Sequence, residues 1–426
     1  MYLSSFSESL FNLKGVSVMN RLIAFVTVAM LSGSVFGQEW TRFRGPNGTG
    51  IGDARKIPTS WTDADYNWRI KLPAGGHGSP VLWGKKLFTT CADDDNADQY
   101  VLCVDSDTGK ILWQKKYSTS VWKPHKFNAF SSSSPVVDDA MVYVVWSTKE
   151  SHVLTALTHG GKQVWQRDFG EFFSEHGNGT SPILFEDLLI IGNDQKGDGA
   201  SLVAVDKHTG KTRWSVKRKG GHKTAYGTPV IYRPKGQAPQ VVFNAHAHGM
   251  TSLDPRTGQV NWEKPGIFIK RTVFSPIVYK DLILGSCGSG SRGDWVVAVR
   301  APGAKGGEPE VAYKIEKFAP YVPTPVIVDG LMFLIHDTGR VTCVDAGTGE
   351  QKWADRLRGN FFGSPVCVNG VIYCISRDGR MFILRASDKF ELLNTVSLGE
   401  QSHSTPAVAN DRMFIRTYNH LMSLGG

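Results

Sequence analysis

The sequence has no long run of like charge, no two adjacent cysteines and, past its first 37 residues, no apolar run of membrane-spanning length. The first lack separates the net charge of +9 from a nucleic-acid footprint. Apart from the short cluster Lys217-Arg218-Lys219, the basic residues are scattered, which gives a weak attraction to anionic surfaces and no nucleic-acid partner. The last lack leaves no transmembrane helix to expect in the mature chain. The six cysteines (positions 91, 103, 287, 343, 367 and 374) match no zinc spacing. Cys103 and Cys343 fall at equivalent points of different repeats, so buried unpaired thiols are expected, even in a compartment that permits disulfides. Residues 285–293 are rich in Gly and Ser, but no strand, glycine loop and helix follow one another there, so phosphate cradling is not expected. Asp93-Asp94-Asp95-Asn96-Ala97-Asp98 is acidic yet lacks the pattern of a calcium loop, and is read as a solvated turn. No Ser-His-Asp set stands out, Arg292-Gly293-Asp294 is a tripeptide chance supplies, and no catalytic residue is assigned.

What is present is glycine, 46 residues of it, tryptophan, 12 residues, and an ordinary share of apolar residues, 41%. Many turns with many aromatics point to an all-β fold able to bury a sizeable core. At the N-terminus, Arg21 precedes an apolar stretch over residues 22–31, and Val35-Phe36-Gly37 offers a cut ahead of Gln38. That stretch of about ten residues is too short to span a bilayer and reads as an export leader over residues 1–37. Residues 1–18 lack leader character, which makes Met19 a candidate true start. The mature protein is therefore expected outside the cytoplasm, periplasmic or extracellular, and monomeric.

Internal repetition decides the architecture. A Ser/Thr-Pro pair followed by apolar residues recurs eight times, at Pro80, Pro135, Pro182, Pro229, Pro276, Pro325, Pro365 and Pro406. Intervals of 40 to 55 residues suit a four-stranded propeller blade. Soon after the proline comes a tight turn, clearest at Asn369-Gly370, Asp329-Gly330 and Asn410-Asp411, residue types that accept positive φ. A second mark follows: Asp105-Ser106-Asp107-Thr108-Gly109 before Trp113, with counterparts starting at Asp206, Asp254 and Asp345 and ending before Trp214, Trp262 and Trp353. The Asp bonds its own turn and the Gly supplies positive φ. The second repeat keeps Gly161 and Trp165 but has Leu157 for the Asp, while the fifth and seventh offer Tyr313 and Leu392-Leu393 for the Trp. Continuous apolar strands, such as residues 141–145 and 188–191, imply burial on both faces, as stacked blades provide.

The ends complete the count. After Pro406 there is chain for three strands only, while Tyr66-Asn67-Trp68-Arg69-Ile70 precedes the first repeat as an orphan fourth strand. Pairing the two closes a ring and removes exposed edges. The expectation is an eight-bladed β-propeller over residues 61–426, preceded by an extension over residues 38–60.

The pattern apolar-Asp-x-x-Thr-Gly-Lys-x-x-Trp, seen at residues 104–113 and again at 205–214, resembles the repeat signature of the pyrroloquinoline-quinone (PQQ) propellers. That superfamily includes quinoprotein alcohol dehydrogenases and a non-enzymatic propeller subunit of the bacterial outer-membrane assembly machine. The resemblance covers about residues 60–426. Trp40-Thr41-Arg42-Phe43-Arg44-Gly45-Pro46-Asn47 is similar to the opening of a group of exported bacterial PQQ-like propellers. For a dehydrogenase the resemblance implies PQQ, a calcium ion on carboxylate and amide oxygens, a catalytic Asp and a ring of two adjacent disulfide-bonded cysteines. This chain has no such cysteine pair, and no Asp can be matched to the catalytic one.

In a propeller the loops leading into the inner strands share one face with the loops between second and third strands. The lead-in loops carry His77, His125, His176, His222 and His403, with Arg271, Tyr321 and the Asn360-Phe361-Phe362 run in the remaining blades. The second-to-third loops add His246, His248, His336 and Asp337. His246 and His248 would face the same way on a strand. Two readings stand: a funnel for an anion, sugar or quinone, or a metal held by imidazoles; or imidazoles that bond crowded backbone and bridge water. The function expected first is a non-catalytic binding or scaffold propeller for a cell-envelope protein, polysaccharide or small molecule, with no cofactor assured. The alternative is a PQQ-dependent alcohol or sugar dehydrogenase using PQQ with calcium.

Overall fold

The protein, seen as a computed structural model, is described over residues 39–122, 125–290 and 292–426. The expected leader, its cut and the Met19 start lie outside the described residues. Eight antiparallel sheets of four strands carry the repeats, one per repeat, and a short strand of the N-terminal extension adds to one of them. The sixth blade is representative. Its inner strand Val326–Val328 turns through Asp329 and Gly330, both at positive φ (48° and 82°), into Leu331–Ile335. Arg340–Asp345 and the outer strand Gln351–Arg356 follow.

The third-to-fourth turn does more than reverse the chain. Asp105 accepts hydrogen bonds on one oxygen from the amides of Asp107 and Thr108 and from the Thr108 hydroxyl. Gly109, at φ 74°, lies flat under the Trp68 ring of the preceding blade, so close that a Cβ would sit 2.7 Å from it. The same contact recurs between Gly161 and Trp113, Gly210 and Trp165, and Gly258 and Trp214. Each indole then donates to a carbonyl of that turn: Trp68 to Ser106 at 2.9 Å, Trp113 to His159 at 2.9 Å, Trp165 to Lys207 at 2.8 Å, Trp214 to Pro255 at 2.8 Å. Tyr313 substitutes faithfully, its hydroxyl reaching the Ala346 carbonyl at 2.7 Å over Gly349. The repeat signature is thus a seam fastener, with glycine required by both φ and close approach. Behind it, apolar side chains of adjacent sheets interleave, such as Tyr143, Leu189, Ile191 and Val203 between the second and third blades.

Two devices close the ring. The orphan strand Tyr66–Lys71 pairs antiparallel with His420–Gly425, Trp68 opposite Ser423 and Ile70 opposite Leu421, as the fourth strand of the last blade. On the inner rim, the amide of each Ser/Thr preceding a repeat proline donates to the hydroxyl of the same residue in the next blade. The chain of bonds runs Ser79, Ser134, Ser181, Thr228, Ser275, Thr324, Ser364, Thr405 and returns to Ser79, at 2.9–3.3 Å. Eight bonds that begin and end on the same residue establish eight blades independently of the sheets.

The extension is a strap. From the first blade, where the Leu82 amide donates to the Trp40 carbonyl, it crosses to the fourth, where the Asn47 side chain both donates to and accepts from the backbone of Ile231. It then runs parallel to the inner strand of the seventh blade, Ile51 opposite Cys367, and ends with Arg55 paired to Asp411 in the eighth. The strap therefore spans the channel on the side of the first-to-second turns. Its own Trp40 and Arg44 are fully buried. All six cysteines are buried and unpaired. Among the described residues no helix is long and apolar enough to cross a membrane.

Candidate ligand-binding site

On the face opposite the strap the lead-in loops surround a funnel of about 560 Å³, within the range of ~300–1,000 Å³ usual for small-molecule sites. Its base carries the hydroxyls of the Ser/Thr ring, and Phe43 is the strap side chain that reaches into it. Higher up stand the side chains expected from the lead-in loops: His77, His125, His176, His403, Arg271 and Tyr321 all line the wall. They come together in pairs. His77 stacks on His403 with centroids 4.1 Å apart, and His125 lies 4.3 Å from His176. Arg271 donates to the Tyr321 hydroxyl at 3.3 Å and to Glu175.

The other four expected residues do not line the funnel. His222 is exposed on its loop. His246 and His248 are not on a strand: the second and third strands of that blade end at Ala245 and resume at Gly249, so both lie in the turn and diverge. His246 bonds the Phe268 carbonyl at 3.0 Å, while His248 sits between Glu263 and the Lys219 carbonyl, each 3.2 Å away. His336 caps its own turn through the Thr338 hydroxyl at 2.8 Å. Its neighbour Asp337 is buried and pushed up to about 7 by desolvation, against the amides of Tyr321 and Val322 that it accepts. It therefore holds the Tyr321 loop in place from behind.

The wall imidazoles are kept neutral. Burial, then the charges of His403, Arg416 and Arg377, hold His77 well below the usual histidine range. Burial and Arg377 pull His403 down to about 4. Burial with nearby cations lowers His125 and His176 as well. Burial opposes the charge on Arg271, but Tyr321, Tyr226 and Glu175 more than offset it. Sequence reasoning missed Phe127, Asn178, Tyr226 and Arg377. Arg377 packs over the rings of Phe127 and Phe362, 4.0 and 4.6 Å from their centroids. The first three share lead-in loops with His125, His176 and His222, so reading every polar or aromatic side chain of those loops would have found them. Nothing in the sequence signalled that Phe43 folds back into the channel.

A propeller-repeat family model described as outer membrane protein assembly factor BamB matches residues 97–290 and 292–390. The chain belongs to this BamB-type PQQ-repeat family. An outer membrane protein assembly factor BamB of Yersinia pestis is 20% identical over 407 residues, covering 92% of this chain and 85% of that one. Among solved structures, BamB from Moraxella catarrhalis superposes with a TM-score of 0.61 at 16% identity, over 84% of this chain and 96% of that one. The quinohemoprotein alcohol dehydrogenase of Comamonas testosteroni gives 0.65 at 13% identity, over 91% and 80%. Both likenesses establish the shared propeller and no more.

Within this BamB-type fold, the funnel can be tested against the PQQ–calcium pair. Calcium takes carboxylate and carbonyl oxygens, and among the described residues no Asp or Glu lines the wall. Glu175, behind Arg271, is occupied by that guanidinium and by Lys196 at 2.6 Å and Lys223 at 3.7 Å. Among the described residues no cluster of three or more His, Cys, Asp or Glu is placed to hold a metal. The described side chains do not fit a calcium ion with a catalytic carboxylate.

Proposed function

We propose that the chain is an exported, non-catalytic binding propeller that holds a cell-envelope protein, polysaccharide or small molecule on its lead-in-loop face. In this reading residues 1–37 are a leader removed on export, 38–60 the extension and 61–426 the propeller, acting in the periplasm or outside the cell as a monomer. The observation that carries it is the funnel itself. It is strapped across one end, lined with aromatic, imidazole and hydroxyl groups, and, among the described residues, free of wall carboxylates of the kind that hold calcium. The relatives named as outer membrane assembly factors support a role that is binding rather than turnover.

Exposed apolar residues on the same face, Phe173 at 50% and Ile269 at 55% exposure, offer a rim on which a partner can settle. The test places a photo-crosslinking amino acid at Phe127 or Phe173, and separately at Leu112 or Val164 on outer strands, in cells exporting the chain. Adducts with envelope components from the loop positions alone are expected. Adducts from the outer strands alone, or dye reduction with an alcohol or aldose after adding PQQ and calcium, would overturn the reading.

A further inference from the structure

The polar atoms of the funnel are matched to neither water-excluding packing nor a simple ion. Nδ1 of His77, and both Oδ1 and Nδ2 of Asn178, are buried without a hydrogen-bond partner, although both side chains line the wall. Leaving such groups unpaired is unfavourable, so a small side-chain turn that presents them to a ligand in the funnel is favoured. A neutral imidazole and an amide each offer a donor and an acceptor. The eight hydroxyls below add more: each accepts its neighbour's amide and retains its proton to give. A ligand that satisfies this set must itself both donate and accept at several points, as a polyhydroxylated ring does. Flat apolar surfaces from Phe43, Phe127, Phe362 and Tyr226 can cover the C–H faces of such a ring.

The charge balance adds a sign. Among the described residues Lys126 and Arg271 line the wall with no carboxylate beside them in the lining, and the carboxylate of Glu175 faces three cations. Beneath, Arg42 and Arg44 are buried, bonded to carbonyls of Pro229, Thr324 and Pro325, with burial drawing both down to about 9. The low-dielectric walls focus this excess positive potential into the funnel. We propose that the funnel binds an acidic sugar, a hexuronic acid unit, free or terminating a chain, with its ring against the aromatic wall and its carboxylate on the Arg271 side. This rests on the binding reading above and names the ligand class for the same site.

Calorimetric titration of the full mature chain at neutral pH tests it. The probes are D-galacturonate and D-glucuronate, the comparators D-galactose, D-glucose and sodium sulfate. Saturable binding of a uronate, at least tenfold tighter than its neutral hexose and undiminished by equimolar sulfate, is expected. Arg271→Gln should weaken it at least tenfold. Asn178→Leu, which removes a side chain with no partner in the fold, should weaken it severalfold with an unchanged melting temperature. Absence of saturable uronate binding, or equal affinity for the neutral hexose, overturns the proposal and leaves the crosslinking result standing. Bound uronate converted to a new product, seen by proton NMR, keeps the sugar site and overturns the non-catalytic reading.

Discussion

Replacing Trp68 by alanine measures what ring closure is worth. Trp68 belongs to the N-terminal strand, yet the residue is only 8% exposed, its ring wedged between Gly109 of the first blade and Phe414 of the last. The backbones on both sides are tied by the Ser/Thr ring and by strand pairing, so the void can collapse little. Trp-to-Ala substitutions in such settings cost about 3–5 kcal/mol. The lost indole bond adds little, because the Ser106 carbonyl keeps the Arg412 guanidinium at 3.1 Å. A total near ~4 kcal/mol is a large part of the ~5–15 kcal/mol that holds a typical protein folded. Trp214→Ala breaks an internal seam of the same design, with its indole 2.8 Å from the Pro255 carbonyl and its ring over Gly258. Urea unfolding followed by far-UV circular dichroism should therefore give equal losses for the two variants, with unchanged m-values. Trp68→Phe should lose less than half as much. If Trp68→Ala cost under ~1 kcal/mol while Trp214→Ala cost several, the N-terminal strand would not be part of the ring.

Other outcomes follow from the same contacts. Trp40→Ala, at the fully buried start of the strap, should cost about 3–5 kcal/mol in the same assay; a neutral result would mean the strap does not seal the channel. Ser275→Ala removes the hydroxyl that accepts the Thr228 amide at 3.0 Å, orphaning a buried donor, and should cost about 1–3 kcal/mol. His152 is pulled down to about 4 by burial, so the unfolded chain gains its proton first: this part of the stability is intact above ~6.5 and is lost as pH falls toward 4. Asp337, raised to about 7 by burial, acts oppositely over much of that window, its contribution being present at low pH and lost as pH rises toward 7. In denaturant midpoints measured from pH 4 to 7, His152→Gln should therefore flatten the rise in stability with pH and Asp337→Asn should steepen it; the reverse ordering would refute both assignments.

The architecture was legible because the motif and the fold are one physical object. Asp105 through Gly109 can be recognised as a turn from its residue types, and the Trp four residues on is the plug for the adjoining seam, so strand count, blade count and closure all followed from spacing. The funnel was half legible. Lead-in residues such as His77, His125 and Arg271 all lie within the loop that leads into a Ser/Thr-Pro pair, at varying distances before it, and belonging to that loop is enough to put them on one rim. The second-to-third loops carry no such register. Whether His246 and His248 point inward depends on where a hairpin turns, and the turn at 246–248 sends them apart. The strap was invisible for a different reason: Trp40 to Arg55 has no repeat to be compared with, and its partners in the first, fourth, seventh and eighth blades are far away in sequence.

This division explains why membership of the family says so much about shape and so little about ligand. The residues that define the repeat sit at the third-to-fourth turns and outer strands, where each Gly–Trp contact and indole bond holds two blades together. The residues that face the funnel sit on the lead-in loops and on the strap, where the seam imposes nothing on side-chain chemistry beyond the Ser/Thr hydroxyl. A propeller can therefore exchange carboxylates for imidazoles around its funnel without disturbing a single seam. Along the described wall of this chain stand rings, amides, hydroxyls and cations, and the carboxylate close behind, Glu175, is held by three positive charges. Among the described residues the groups left along that wall to exchange protons with a ligand are neutral imidazoles, and the charges left to hold one are cations.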